Sequence, residues 1–219
     1  MQAWFCETLS GPEGLVWKEV PTPQPGPGEV RIAIRAASLN FPDTLTVRGK
    51  YQFKPELPFV PGSEYAGLVE AVGDGVTQLK VGDAVAAMGS TGGFATHGIA
   101  PAKSVLKLPP GFALEDAAAF ALTYGTTHHA LVDRAALKAG ETVLVLGAAG
   151  GVGTSAIQVA KAVGAKVIAG ASSDEKCAFC RTLGADATIN YATQNVRDAL
   201  KELTGGKGPD VVYDPVGGD

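Results

Sequence analysis

Residues 141–172, ETVLVLGAAGGVGTSAIQVAKAVGAKVIAGAS, leave this chain few ways to fold. A short apolar, β-branched run at 142–146 meets a glycine cluster without a spacer. A helical pattern follows, in which Val152, Ala156, Val159 and Val163 recur, and a second apolar run starts at 166 after Gly164. Strand, turn, helix and strand in that order make a βαβ unit. The first turn of such a unit is where a dinucleotide pyrophosphate sits. Ala148, Gly150 and Gly153 fall on the three small-residue positions of the GxGxxG fingerprint, with Ala148 in place of the first glycine. On this reading Ala148 permits the tight turn, Gly150 leaves room for phosphates and Gly153 lets helix pack on strand. Ala149, Gly151 and Val152 complete the turn and the helix start, where free backbone N–H groups and the positive end of the helix dipole face an anion. Glycine runs also serve as plain tight turns, but here both strands and the helix are in place around this one.

The bulk numbers exclude several classes of partner. The 219 residues suffice for one or two domains, with 46% hydrophobic and 18% charged residues as in an ordinary globular protein. A net charge of −4 offers no electrostatic footprint for nucleic acid or an anionic membrane. No apolar run approaches bilayer length, and the start MQAWFCETLSGPEG lacks the basic and apolar regions of a signal peptide, so a cytoplasmic protein is expected. Cys6, Cys177 and Cys180 form no disulfide framework. The last two make a CxxC pair, which reads either as a redox motif or as ordinary helix residues, with Asp174, Glu175 and Lys176 occupying the helix start that would activate a thiol. A closed zinc site needs four ligands, and nothing nearby supplies a second pair.

From residue 1 to about 112 the chain reads as short strands punctuated by turns. Residues 30–36, 65–72 and 83–87 and a strand through Ile99 are spaced as in a small barrel, and the proline-rich 21–28 is a surface loop. Residues 114–137 read as helical, with Gly125 as the break. The domain junction is placed here, giving domains 1–120 and 121–219. Beyond it come the βαβ unit, a helix over 176–183, a strand at 187–189, a helix over 195–203 and a strand at 210–213, which together imply a parallel sheet. His128 and His129 are adjacent on a helix and point about 100° apart, so they read as surface or junction residues. Four strands of a six-stranded doubly wound sheet are visible, so the chain reads as a C-terminally truncated fragment.

Several motifs then carry a family resemblance. GETVLVLGAAGGVGTSAIQVAKAVGA, together with SLNFPDTLTVRGKY at 38–51, PGSEYAGLVEAVGDGV at 61–76 and VGDAV at 81–85, resembles the zinc-free, zeta-crystallin-like quinone oxidoreductase branch of the medium-chain dehydrogenase/reductase superfamily. The resemblance covers essentially the whole chain. It implies an α/β plus β architecture: a GroES-like β-barrel catalytic domain followed by the first part of a Rossmann doubly wound parallel sheet. It also implies a homodimer when the protein is full length. Zinc alcohol dehydrogenases of the superfamily carry a cysteine where Asn40 stands and a histidine where Ser63 stands, so no metal is expected. The four-cysteine structural zinc lobe is missing too.

The cofactor expectation is NADPH. NAD enzymes place an acid at the end of the second strand, where this chain has Ser172. By resemblance to NADPH-dependent relatives, Lys176 and Tyr191 contact the 2′-phosphate and Ser172 or Ser173 hydrogen-bonds to it. Asp174 and Glu175 read as first-turn acids pointing away, and Lys176 also reads simply as a solvated helix residue. Without zinc, the expected substrate is a small molecule whose reduced form spreads its own charge, a quinone or an α,β-unsaturated carbonyl. Resemblance places Tyr51 as proton or hydrogen-bond donor, with Asn40, Asp43 and Thr126 orienting the nicotinamide. The competing readings are packing for Tyr51 and turn stabilisation for Asn40 and Asp43 in NFPD. A further family tyrosine is replaced by Leu45, and Tyr124 and Phe94 are aromatic candidates for the acceptor pocket. Alternative functions are a 2-enoyl thioester reductase, an NADPH-binding protein of the crystallin type with little turnover, and an incomplete product without activity.

Overall fold

The computed structural model describes residues 1–217, so the last two residues of the expected second domain lie outside it. The chain forms two compact units, Met1–Leu122 and Thr123–Asp219.

In the first unit, β1 (Gln2–Cys6) and β2 (Leu15–Glu19) form an antiparallel pair, which Trp4 and Trp17 cover with ring centroids 5.2 Å apart. A five-stranded antiparallel sheet runs in the order β6-β3-β4-β5-β7, from β3 (Glu29–Ala37), β4 (Glu64–Val72), β5 (Ala84–Met88), β6 (His97–Pro101) and β7 (Val105–Lys107). Alternation sends Val30, Ile32, Val69 and Val85 into the main core. Ala66 and Ala86 face the opposite way, against α2 (Leu114–Ala118). The expected barrel is present as a curled half-barrel among the described residues, with β6 and β7 as its edge strands. Register shifts between Arg31 and Ile32 and between Ile34 and Ala36 supply the curl.

The predicted long helix over 114–137 is corrected. It breaks after Ala118, not at Gly125, and Gly125 lies inside α3 (Ala121–His128), which continues as a π-helical turn, His129–Arg134. The short helix α1 (Phe41–Thr46), which the sequence presented only as a turn, begins at NFPD. Pro42 sits in its first turn, and the Asn40 N–H donates to the Asp43 carboxylate at 2.9 Å.

The second unit is the parallel sheet. Strands β8 (Thr142–Val145), β9 (Lys166–Ala171), β10 (Ala187–Asn190) and β11 (Val211–Tyr213) lie in the order β10-β9-β8-β11, so the order in which strands are added reverses at β8. Helix α4 (Gly151–Val163) joins β8 to β9, α5 (Asp174–Thr182) joins β9 to β10 and α6 (Val196–Leu203) joins β10 to β11. Successive strand residues take opposite faces. Val143, Val145, Val167 and Ala169 pack with α4 and Cys180 of α5, whereas Leu144, Ile168 and Ile189 pack with Val196, Ala199 and Leu200 of α6. The buried stripe of α4 is Gly153, Ala156, Ile157 and Ala160, so Val152, Val159 and Val163 are only half-buried. Gly153, Ala156 and Ala160 let the helix lie close to the sheet, Ile157 fills the core beside them, and Val159 and Val163 pack at the margin. No described helix is long and apolar enough to cross a membrane.

Asp186 ties this unit together. Its carboxylate accepts from the Val167 N–H at 2.7 Å and from Lys161 Nζ at 2.8 Å, linking α4 to β9. Partial burial raises the Asp186 pKa, but the Lys161 and Val167 bonds outweigh it and hold the carboxyl below the usual range. A depressed folded-state pKa stabilises above the ordinary aspartate pKa, and the stabilisation fades as pH falls through the folded value. Asp186→Asn is therefore expected to lower the urea midpoint at pH 7, and the gap from wild type should close below about pH 4. A gap of constant size across that range would show that charge has no part in the contact.

Candidate functional site

The site in the second unit begins where β8 ends. Gly147 takes the left-handed conformation at φ +58°, and the Gly150 N–H returns to the Gly147 carbonyl at 2.9 Å. Ala148 and Ala149 are the central residues of this turn, and Gly147 leads into it; Ala148 is fully buried in the core, its N–H donating to the Gly170 carbonyl at 3.0 Å. Gly153 is the point of closest approach: a Cβ there would lie 2.5 Å from the Gly147 oxygen and 2.6 Å from Ala148 Cα. Gly150 caps α4 in an extended conformation, so Gly151, Val152 and Gly153 supply the N–H groups of the first turn, which lack intrahelical acceptors. Reversal of strand order at β8 puts this turn beside the crevice where open α/β sheets bind ligands.

A pocket of about 150 Å³ adjoins the turn, lined by Gly147, Ala149, Gly150, Ala171, Ser172, Lys176 and Tyr191. The structure therefore gathers Ala149, Gly150, Ser172, Lys176 and Tyr191, far apart in sequence, around one cavity. Lys176 Nζ donates to Ser172 Oγ at 3.1 Å, which holds the ammonium at the rim. Ser173 does not line the pocket. It caps α5, accepting from the Lys176 N–H at 3.2 Å. Asp174 accepts from the Asn190 side chain at 2.8 Å, which restrains its carboxylate. Thr126 is exposed on α3. Its neighbour Thr127 is fully buried and bonds Ser155 Oγ at 2.7 Å and the Val152 carbonyl at 3.2 Å, a brace under the start of α4 that sequence reasoning missed. The Tyr124 hydroxyl bonds Gln158.

The CxxC pair shows no sign of thiol activation. Cys177 and Cys180 are buried and free, and burial pushes the Cys180 thiol up, away from a reactive thiolate. His128 and His129 are exposed beside Asp133.

The first unit carries a polar cluster at the start of α1. Asp43 is buried. Desolvation raises its carboxyl pKa, opposed by the hydrogen bond from the Asn40 backbone N–H, while the charge of Glu64 adds to the rise. Asn40 Nδ2 donates to Ser38 Oγ at 2.8 Å and to Glu64 Oε2 at 3.2 Å. Glu64 is fully buried and was not among the sequence candidates; its place at the start of β4, in the otherwise apolar-facing run PGSEYAG, was the available signal. Asn40 and Asp43 line an apolar cavity of about 360 Å³ with Leu39, Phe41 and Phe94. Tyr51 is half-buried in the segment after α1 and does not line that cavity. Leu45 does not line it either. Tyr65 is no substitute for Tyr51: it is buried under the sheet, its pKa pushed up to about 12 by desolvation.

Comparison with known proteins agrees with both units. Residues 26–110 match the family described as alcohol dehydrogenase GroES-like domain, and residues 151–219 match the family described as zinc-binding dehydrogenase. The chain is 43% identical to the quinone oxidoreductase-like protein 2 homolog of Nematostella vectensis, over all of this chain and 60% of that protein. It superposes on the quinone oxidoreductase of Pseudomonas syringae pv. Tomato DC3000 with TM-score 0.95 at 42% identity, covering 100% of this chain and 67% of that one. The Escherichia coli quinone oxidoreductase complexed with NADPH gives TM-score 0.95 at 36% identity, again over 100% and 67%. The chain spans about 60% of the length of the first of these relatives. With a GroES-like unit leading into the first four strands of a Rossmann-type sheet, and this likeness along its whole length, the chain belongs to the quinone oxidoreductase branch of the medium-chain dehydrogenase/reductase superfamily.

Proposed function

We propose that the complete protein is a zinc-independent oxidoreductase that reduces a quinone or an α,β-unsaturated carbonyl with NADPH. The observation that carries this reading is the pocket beside the glycine turn. Its rim offers a hydroxyl and an ammonium, from Ser172 and Lys176, where an NAD-selective site presents an acid. The neighbouring acid Asp174 is bonded to Asn190 and leaves that rim basic. Solved relatives complexed with NADPH support the same choice.

The turn at Gly147 and the first amides of α4 hold the pyrophosphate, through N–H groups and the helix dipole. Ser172 and Lys176 bind the 2′-phosphate, and Tyr191 borders the adenosine end. NADPH, when bound, supplies the hydride. Asn40, Asp43 and Thr126 orient the nicotinamide, and Tyr51 donates a proton or hydrogen bond to the oxygen that gains negative charge in the substrate.

Zinc does not fit the corresponding positions, although one matched family is described as zinc-binding. Asn40 offers an amide whose nitrogen is committed to Ser38 and Glu64, and Ser63 offers a hydroxyl; neither is the thiolate or imidazole that zinc selects. No described group of three His, Cys, Asp or Glu side chains is arranged around a metal position. A conjugated acceptor suits such a site because its own π system delocalises the charge that hydride addition creates.

Titration followed by nicotinamide fluorescence tests the cofactor assignment on the complete protein. Lys176→Ala is expected to weaken NADPH by about tenfold or more, the worth of one charge-assisted hydrogen bond, and to leave NADH nearly unchanged. Equal losses for both cofactors would remove Lys176 from the 2′-phosphate site. Gly153→Val, whose side chain meets the backbone of Gly147 and Ala148, should abolish binding of both cofactors. Tyr51→Phe should lower kcat for benzoquinone reduction by about a hundredfold with NADPH affinity intact, the range for losing a general acid. Wild-type turnover in that variant would assign Tyr51 to packing.

A further inference from the structure

Glu64 presents an energetic problem that its place in the fold does not solve. Its side chain is fully buried at the start of β4, yet the groups donating to it are neutral: Ser38 Oγ at 2.7 Å and Asn40 Nδ2 at 3.2 Å to Oε2, and the Leu122 N–H at 2.8 Å to Oε1. A carboxylate taken out of water without a cation costs more than an apolar side chain of similar volume at the same position. What the three bonds achieve is geometric. Asn40 Nδ2 faces Ser38 Oγ at 2.8 Å and Glu64 Oε2 at 3.2 Å, two acceptors so close together that one N–H is shared between them, while Ser38 donates its own proton to Glu64. That shared N–H sets the plane of the carboxamide and turns its oxygen away from Ser38 and Glu64. On the backbone side, the Asn40 N–H is held by Asp43 Oδ2 at 2.9 Å.

We infer that Glu64 is a positioning residue: with Ser38 it locks the carboxamide of Asn40 in one orientation, and its second oxygen ties that lock to the backbone of Leu122, where the first unit ends. The consequence for turnover rests on the nicotinamide-orienting role proposed for Asn40; the lock itself does not. A buried hydroxyl–carboxylate pair lets a neutral amide be aimed without placing a charge in contact with the reacting groups. A glutamine at position 64 is a poor replacement, because whichever way its amide is turned at least one of the three converging donors faces an NH2 group that cannot accept it.

The test uses the complete protein, 15N-labelled, with the Asn40 carboxamide resonances assigned by their loss in Asn40→Asp. Glu64→Gln and Ser38→Ala are each expected to speed solvent exchange of those two protons by about tenfold or more and to lower kcat for NADPH-dependent benzoquinone reduction by about tenfold, as expected for losing a hydrogen bond to a buried charge. KM should stay within about twofold, and neither change should lower kcat further in an Asn40→Ala background, since residues acting through one another are not additive. If Glu64→Gln fails to fold, Ser38→Ala carries the measurement alone, because it removes one arm of the lock and leaves the buried charge. Unchanged exchange, or losses that add to that of Asn40→Ala, would overturn the inference. Faster exchange combined with full turnover in Asn40→Ala would uphold the lock and overturn the role proposed for Asn40.

Discussion

The second unit depends on one close contact, that between the start of α4 and the end of β8. Gly153 has no Cβ, and in its absence the helix sits against the carbonyl of Gly147 and the backbone of Ala148. That approach fixes where the first-turn N–H groups point and sets the small-residue stripe through Ala156 and Ala160 against the sheet. It also leaves the rim beside Ala149 and Gly150 open, where Ser172, Lys176 and Tyr191 meet. A side chain of any size at Gly153 would separate helix from strand, and the anion-binding geometry would go with it.

The first unit is organised by buried charge. Asp43 and Glu64 both lie out of water and both bond Asn40, one at its backbone and one at its side chain. Each carboxylate is answered by neutral donors, and their mutual repulsion adds to the upward pull of burial on Asp43. Such an arrangement is a weak source of stability, since an apolar replacement would avoid the desolvation cost. Its return is directional: an amide, a short helix and the chain leaving the unit at Leu122 are held to one another.

Much of this was legible from residue patterns. Short apolar runs alternating with helical patterns located every strand and helix of the parallel sheet to within a few residues, because turn residues bracket each of them. Ser172, Lys176 and Tyr191 were named before their common pocket was seen, through their distance from the glycines and the family likeness. Other features were out of reach. Helix α1 has six residues and a proline in its first turn, too short for periodicity, so NFPD read as a turn. Val152, Val159 and Val163 were the conspicuous apolar residues of α4, yet the fully buried face is Gly153, Ala156, Ile157 and Ala160, and Val159 and Val163 pack only at its margin. Gly125 looked like a helix break, whereas an isolated glycine costs a helix only about 1 kcal/mol and surrounding structure overrides it.

The amino-acid order alone determined the class of fold, the position of the glycine turn and the residue types available for a phosphate, since these rest on local spacing and on the conformational freedom of glycine. Tertiary structure decided the rest. Pairing order placed β11 on the far side of β8 and so made a crevice at the turn. Backbone geometry put Gly147 in the left-handed conformation just ahead of the turn that Ala148 and Ala149 make. The convergence of Ser38, Asn40 and Leu122 on Glu64 joins residues up to 84 positions apart. No local pattern encodes that convergence, because hydrogen bonds of this kind exist only once the strands that carry their donors have been brought together.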